Sequence, residues 1–163
     1  MGRDTGAIVP DPVGPGTLGP GQGNPVGAVN GAAYAAEVST RANRTVGDDL
    51  TPDERELLRR LSAGSGEQSA LLREQLTVAT WGGYEHASCE CFLLHLAPDV
   101  PLPRVEHDGG PFAVLEVADG TVPLGMLELW VVDGLAHSVT YMPFGGDHAR
   151  LPTPQACALE PVE

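Results

Sequence analysis

The sequence predicts an α+β fold: two short N-terminal helices packed on an antiparallel β-meander of about four to five strands, preceded by a disordered Gly/Pro-rich arm. Three observations lead there. Residues 50–58, Leu-Thr-Pro-Asp-Glu-Arg-Glu-Leu-Leu, read as a helix start. Beyond Gln75 the apolar spacing leaves a period near 3.6 for β-rich runs. Asp133-Gly134 sits between two such runs, the signature of a two-residue type I′ hairpin.

The first 31 residues hold nine Gly and five Pro, a composition that costs too much backbone entropy to order and has little to bury in return. Residues 32–44 are Ala-rich, with Tyr34 and Val38 four apart and Glu37 placed to pair with Arg41, which predicts a short, marginal helix. The arm is expected over residues 1–46 and a single domain over 47–163.

In the first predicted helix Thr51 caps, Pro52 occupies the first turn and Glu54 completes a capping box. Leu57, Leu58 and Leu61 form its apolar stripe, and Gly64 offers a left-handed stop. Ser65 and Gln68 repeat the capping-box spacing ahead of a second helix through Leu71, Leu72 and Leu76. Strands are expected at 76–81, 88–97, 112–118 and 125–132, with another after the Asp133-Gly134 turn. If Val132 faces Leu135 in that hairpin, a regular ladder sets Trp130 opposite His137 and Glu128 opposite Val139. Met126, Trp130, Val132, Leu135, Val139 and Tyr141 then share one face, and Leu127, Leu129, Val131, Ala136, Ser138 and Thr140 the other. Past Phe144 the Gly-, Pro- and Asp-rich chain is expected to be irregular.

Charge and cysteine content bound the function. In 163 residues there are 22 acidic side chains against nine arginines and no lysine, a net charge of −13. From residue 51 onward 17 acids face six arginines, net −11, so the field belongs to the domain. A field of that sign repels nucleic-acid backbones and anionic lipid surfaces and favours a basic protein surface or a cation. Cys89, Cys91 and Cys157 are odd in number, no apolar run resembles a signal peptide, and no stretch is long enough for a membrane span, so a cytoplasmic protein with free thiols is expected.

Chemistry-bearing clusters are few. His86, Cys89, Cys91 and His95 supply zinc ligand types, and in one extended strand the two thiols and His95 would share a face. An extended C-x-C nevertheless holds its sulfurs roughly 6–7 Å apart, wider than a tetrahedral site prefers. Core filling by the thiols is the plainer reading. His107-Asp108 and Asp147-His148 are acid–imidazole neighbours in loops, Ser65 in Gly64-Ser65-Gly66 is a helix cap and not a nucleophile elbow, and no phosphate-binding, zinc-protease or dinucleotide motif occurs. No catalytic residue is assigned.

The succession of Leu50 to Leu58, Leu72-Arg73-Glu74-Gln75-Leu76, Cys89-Glu90-Cys91, Asp133-Gly134 and Leu151-Pro152-x-Pro154 resembles a group of small bacterial, actinobacterial-like proteins. These open with an LTPEER-LL helix and add a second LRAQL-like helix, a C-x-C in the first strands, a V-x-DG hairpin and an acidic, Pro-rich end. The likeness spans residues 50–159, and the chain departs from it in its arm and in Glu90 and Phe92-Leu93-Leu94 around the C-x-C. The group has no established activity, so the resemblance implies an α+β fold and a bacterial cytosolic setting and supplies no catalytic residue.

The expectation is therefore an acidic protein-interaction module, immunity- or antitoxin-like or an adaptor, that meets a basic protein surface through Glu85, Glu90, Glu106, Asp108, Glu116, Asp119 and Glu128. The alternatives are a small metal-binding or thiol-sensing protein built on His86, Cys89, Cys91 and His95, with zinc as the metal, and an assembly cargo or scaffold component that docks through its arm. No cofactor is otherwise implied.

Overall fold

The computed structural model describes residues 43–145, 150–155 and 158–161. The predicted arm up to residue 42, with the helix expected there, lies outside the described residues. Within them two helices, α1 (Pro52–Leu61) and α2 (Glu67–Val78), pack on one antiparallel sheet of six strands: β1 (Thr80–Tyr84), β2 (Phe92–His95), β3 (Pro111–Asp119), β4 (Val122–Val132), β5 (Leu135–Pro143) and β6 (Ala158–Pro161). The strand order is β1-β2-β5-β4-β3-β6. A three-strand meander is thus flanked by a hairpin on one side and the C-terminal strand on the other. The sixth strand comes from a segment expected to be irregular. Leu115 to Ala118 of β3 pair with Pro161 to Ala158, which supplies hydrogen-bond partners along an edge that would otherwise stay open.

α1 begins as its sequence dictates. Glu54 N donates to Thr51 Oγ1 at 3.2 Å and Thr51 N to Glu54 Oε2 at 2.8 Å, a reciprocal capping box. The same Glu54 carboxylate receives both arms of Arg44, at 2.6 and 3.0 Å, so the domain starts a few residues before the expected boundary. Arg44 also lies 4.5 Å over the buried Trp81 ring, and Gly47 N and Asp48 O bond the Trp81 carbonyl and amide at 2.8 Å, covering the outer edge of β1.

Three local expectations are corrected. α1 ends at Ser62, whose hydroxyl and amide both bond Leu58 O, and Gly64 is not left-handed; its missing side chain instead admits Ser69, whose Oγ would stand 2.5 Å from an added Cβ. The cap of α2 is Gly66 without a side-chain bond, because Gln68 accepts the amide of Glu106 at 2.8 Å instead of closing a box with Ser65. Residues 76–78, expected to begin a strand, stay helical. Leu72 and Gln75 on that face are wholly buried and Leu76 packs on the core, and this packing outweighs the β-branched preference of Thr77 and Val78.

The core lies between the helices and one face of the sheet. Leu57, Leu58, Leu61 and Leu72 meet Phe92, Leu115, Val117, Leu127, Leu129 and Val139. The turn after β4 is as predicted, with Asp133 and Gly134 at φ of 50° and 73°. Its register is not. Val132 pairs with Leu135 and Val131 with Ala136, but Trp130 then pairs with Ser138, leaving His137 as an extra residue in β5. From there Leu129 faces Val139 and Glu128 faces Thr140. The bulge turns Val139 and Tyr141 inward beside Leu129 and Leu127, and moves Ser138 and Thr140 to the outer face beside Trp130 and Glu128. A regular ladder would have put two hydroxyls in the core and two large apolar side chains outside it.

One buried polar side chain joins the layers. Gln75, fully enclosed on α2, donates to Pro103 O at 2.6 Å and Gly134 O at 2.8 Å and accepts from Ala136 N at 2.7 Å. Replacing it by leucine leaves Pro103 O and Ala136 N without those partners, whereas Gly134 O keeps the amide of Val105. Each orphaned buried group costs about 1–3 kcal/mol, so Gln75→Leu is expected to lower unfolding stability by about 2–5 kcal/mol. Urea denaturation monitored by circular dichroism measures it, and a loss below about 0.5 kcal/mol would contradict this role.

Candidate functional site

The helices cover one face of the sheet; the other bears a groove of about 400 Å³. Its floor comes from alternate residues of β4 and β5: Glu128, Trp130 and Val132, and Ser138, Thr140 and Met142. His137, the bulge residue, lies at one side, and Glu85 and His86 reach it from the loop between β1 and β2. Val132 and Met142 are 46% and 52% exposed, so the groove offers apolar as well as acidic surface.

At its centre Glu128, Trp130 and Thr140 form a closed triangle of hydrogen bonds. The indole N–H of Trp130 is shared between Glu128 Oε2 and Thr140 Oγ1, both at 3.1 Å, and the Thr140 hydroxyl lies 3.4 Å from the same Oε2. Trp130 is thereby fixed by its polar edge. Glu128 is only 8% exposed. Among the described residues no arginine reaches it, and its other oxygen, Oε1, has no protein donor there and opens on the groove. A carboxylate so far removed from water and satisfied only by neutral donors lacks the counter-charge that burial of an ion calls for.

Five of the described arginines are engaged elsewhere. Arg44 is bound to Glu54, Arg55 to Asp49, and Arg59 and Arg60 to Glu56; Arg73 gathers the carbonyls of Ser62 and Gly64. Arg59 and Arg60 together hold the Glu56 carboxyl down at about 2. Among the described residues no arginine lines the groove.

The acids expected to meet a partner are distributed unevenly. Glu85 and Glu128 line the groove, and Glu116 projects from the same outer face of β3, since its neighbours Leu115 and Val117 point into the core. Asp119 is exposed at the end of β3, and Glu106 and Asp108 are exposed in the loop before it. Glu90 is engaged internally, accepting the amide of Leu151 at 2.9 Å and so holding the C-terminal segment. Trp130, Ser138, Thr140 and His137 were not singled out as site residues from the sequence. The alternation of β4 already placed Trp130 beside Glu128, but the bulge that brings Ser138 and Thr140 to them has no local signature.

Of the proposed ligand set His86, Cys89, Cys91 and His95, the two thiols meet in a side-chain contact, and the set does not close round an ion. Among the described residues no three His, Cys, Asp or Glu side chains are arranged to hold a metal ion. The reason is that residues 85–91 form a loop with turns instead of extended strand, so the shared face never arises. His86 is exposed at the groove, His95 ends β2, and both thiols are buried. Cys91 Sγ accepts the amide of Tyr141 at 3.4 Å. Burial, opposed in part by that amide and reinforced by Cys89 and Glu85, pushes the Cys91 thiol from 9.0 up to about 12. His107 is used locally, against Gly110 O at 2.9 Å and edge-on to Phe112, while Asp147, His148 and Cys157 lie outside the described residues.

Comparison of the chain with protein-family models, curated proteins and solved structures finds no match. Among the described residues no helix is long and apolar enough to cross a membrane. The site must therefore be read from its own geometry, which sets two carboxylates, Glu85 and Glu128, beside the apolar side chains of Trp130, Val132 and Met142.

The state of Cys91 gives a measurable consequence. Native protein treated with iodoacetamide at neutral pH is expected to leave Cys91 unmodified, while protein unfolded in guanidinium labels fully; native labelling of Cys91 as fast as in the unfolded chain would contradict its placement. Because the folded value lies above the unfolded one, the thiol's contribution to stability is whole below the unfolded value of 9.0 and is lost as pH rises toward about 12. Denaturation midpoints in that window should fall less steeply in Cys91→Ala than in the native sequence.

Proposed function

We propose that this protein is an acidic interaction module whose outer sheet face receives a basic segment of a partner protein. The observation that supports it best is Glu128: a nearly buried carboxylate in an open groove, with no arginine among the described residues paired to it. The groove adds what a binding surface needs around such a charge, an aromatic residue fixed in place by Trp130 Nε1–H, exposed Val132 and Met142, and a second carboxylate in Glu85. The net charge of −13 supports the same reading from a distance, since it draws a basic partner toward the surface before contact. Immunity- or antitoxin-like inhibitors and adaptors are the functional classes that fit a compact acidic domain of this kind.

A second copy of this chain is a poor occupant. It would bring the same sign of net charge, and no arginine among its described groove-lining residues, against the same acids.

The test uses a defined probe. A short amphipathic peptide with arginines set among apolar residues, titrated into the isotopically labelled protein, should shift the amide resonances of Met126 to Val132 and Ser138 to Met142. Its affinity should weaken at least about tenfold between roughly 50 and 500 mM salt, as screening of exposed charges requires. A matched peptide with glutamates in place of arginines should not bind. Shifts confined to the helical layer, or affinity indifferent to salt, would remove this function.

A further inference from the structure

We infer that the groove is a socket for one arginine side chain, which completes the charge of Glu128 over Trp130; this rests on the interaction-module reading above and names the group that the module recognises.

Four features of the site select that ligand. Glu128 has one oxygen, Oε2, committed to Trp130 and Thr140, and one, Oε1, with no donor among the described residues. A cationic donor from outside satisfies Oε1 and neutralises the carboxylate in one contact. Second, the acceptors are scattered and not paired: Glu128 in the floor, Glu85 at the rim, and the hydroxyls of Ser138 and Thr140 between strands. A guanidinium has five donors spread over a plane and can reach several such groups at once, whereas an ammonium is a compact point.

Third, the surrounding surface is apolar, with Trp130, Val132 and Met142 around the acids. Entry requires the cation to shed water, and guanidinium is the more weakly hydrated of the two basic groups and stacks on indole. Fourth, Trp130 is already anchored by its N–H, so little side-chain freedom is lost when a ligand packs on it. The imidazoles of His86 and His137 line the same groove and are, among the described residues, the remaining titratable groups that face it.

The experiment titrates N-acetyl-arginine amide, N-acetyl-lysine amide and neutral N-acetyl-citrulline amide into the full-length protein. The readout is the indole N–H resonance of Trp130, identified by its disappearance in Trp130→Phe. That proton reports the bond to Glu128 directly. The arginine probe should move it saturably with a dissociation constant of about 1–10 mM, as expected for a ligand of this size. The lysine probe should bind at least about fivefold more weakly, and the citrulline probe should produce no saturable shift.

Glu128→Gln keeps an acceptor for Trp130 and Thr140 while removing the charge, and should weaken the arginine probe at least about tenfold. Glu85→Gln, a change at the rim, provides the second variant and should weaken it about two- to fivefold. Lysine or citrulline binding as tightly as arginine, a stationary indole resonance, or unaltered affinity in both glutamine variants would overturn the socket. If the arginine-bearing peptide binds the outer face while the arginine probe leaves Trp130 unmoved, the socket fails and the module stands. If neither binds, both fail.

Discussion

The arrangement of this domain hangs on the carboxamide of Gln75. Three short bonds from a single enclosed side chain tie α2 to the loop at Pro103, to the turn at Gly134 and to the amide of Ala136. Ala136 is the last regular partner before the bulge at His137, so the helical layer grips β5 at the point where its faces exchange. An amide group suits that position because it donates twice and accepts once with no charge to bury, and because the three partners are backbone atoms that no sheet ladder could satisfy there. Everything on the outer face follows from the register that this contact holds. With the bulge, Thr140 stands opposite Glu128 and binds it; without it, Val139 would take that place.

The two faces of the sheet consequently carry opposite electrostatic characters. On the helical side charges are matched in and around α1: Glu56 serves Arg59 and Arg60, Glu54 serves Arg44, and Arg73 closes the carbonyls left by the end of α1. The groove between α1 and α2, rimmed by Arg55, Arg59 and Arg73, therefore presents guanidinium groups that are already engaged. On the outer side Glu85, Glu116 and Glu128 meet no arginine among the described residues. A protein with nine arginines and 22 acids cannot neutralise all of them, and five of the described arginines, Arg44, Arg55, Arg59, Arg60 and Arg73, are engaged on the helical side.

Much of the architecture was legible from residue order. The capping box at Thr51 and Glu54, the leucine stripe of α1, the type I′ turn at Asp133-Gly134 and the α+β division all depend on contacts a few residues apart, and local chemistry announces them. What escaped depends on residues far apart in the chain. The helical state of residues 76–78 is decided by burial of Leu72 and Gln75 against the sheet, and Gln68 leaves its expected capping role for Glu106, 38 residues away. β6 forms because β3 has an edge to offer. The site was half legible for the same reason. Glu85, Glu116 and Glu128 were identifiable as strand and loop acids, while the Trp130–Thr140 contact required a bulge that only the packing of Val139 and the reach of Gln75 explain. The Cys-x-Cys pair was placed on a strand where the chain turns, and its thiols are buried, in line with the plainer reading of them as core groups.

Net charge alone does not choose a binding surface. The seven acids that composition nominated are scattered over the β1–β2 loop, a Pro-rich loop, a hairpin turn and two strands, and an exposed carboxylate such as Asp119 or Asp108 is content in water. Its interaction with a partner is screened and weak. Glu128 differs because the sheet has already removed most of its hydration and has returned only two neutral donors. The desolvation that usually opposes an interfacial ion pair has on one side been met during folding, so an arriving cation need overcome only its own. In the proposed function the diffuse field would bring a basic partner near, and Glu128, left short of counter-charge among the described residues, would set where it comes to rest.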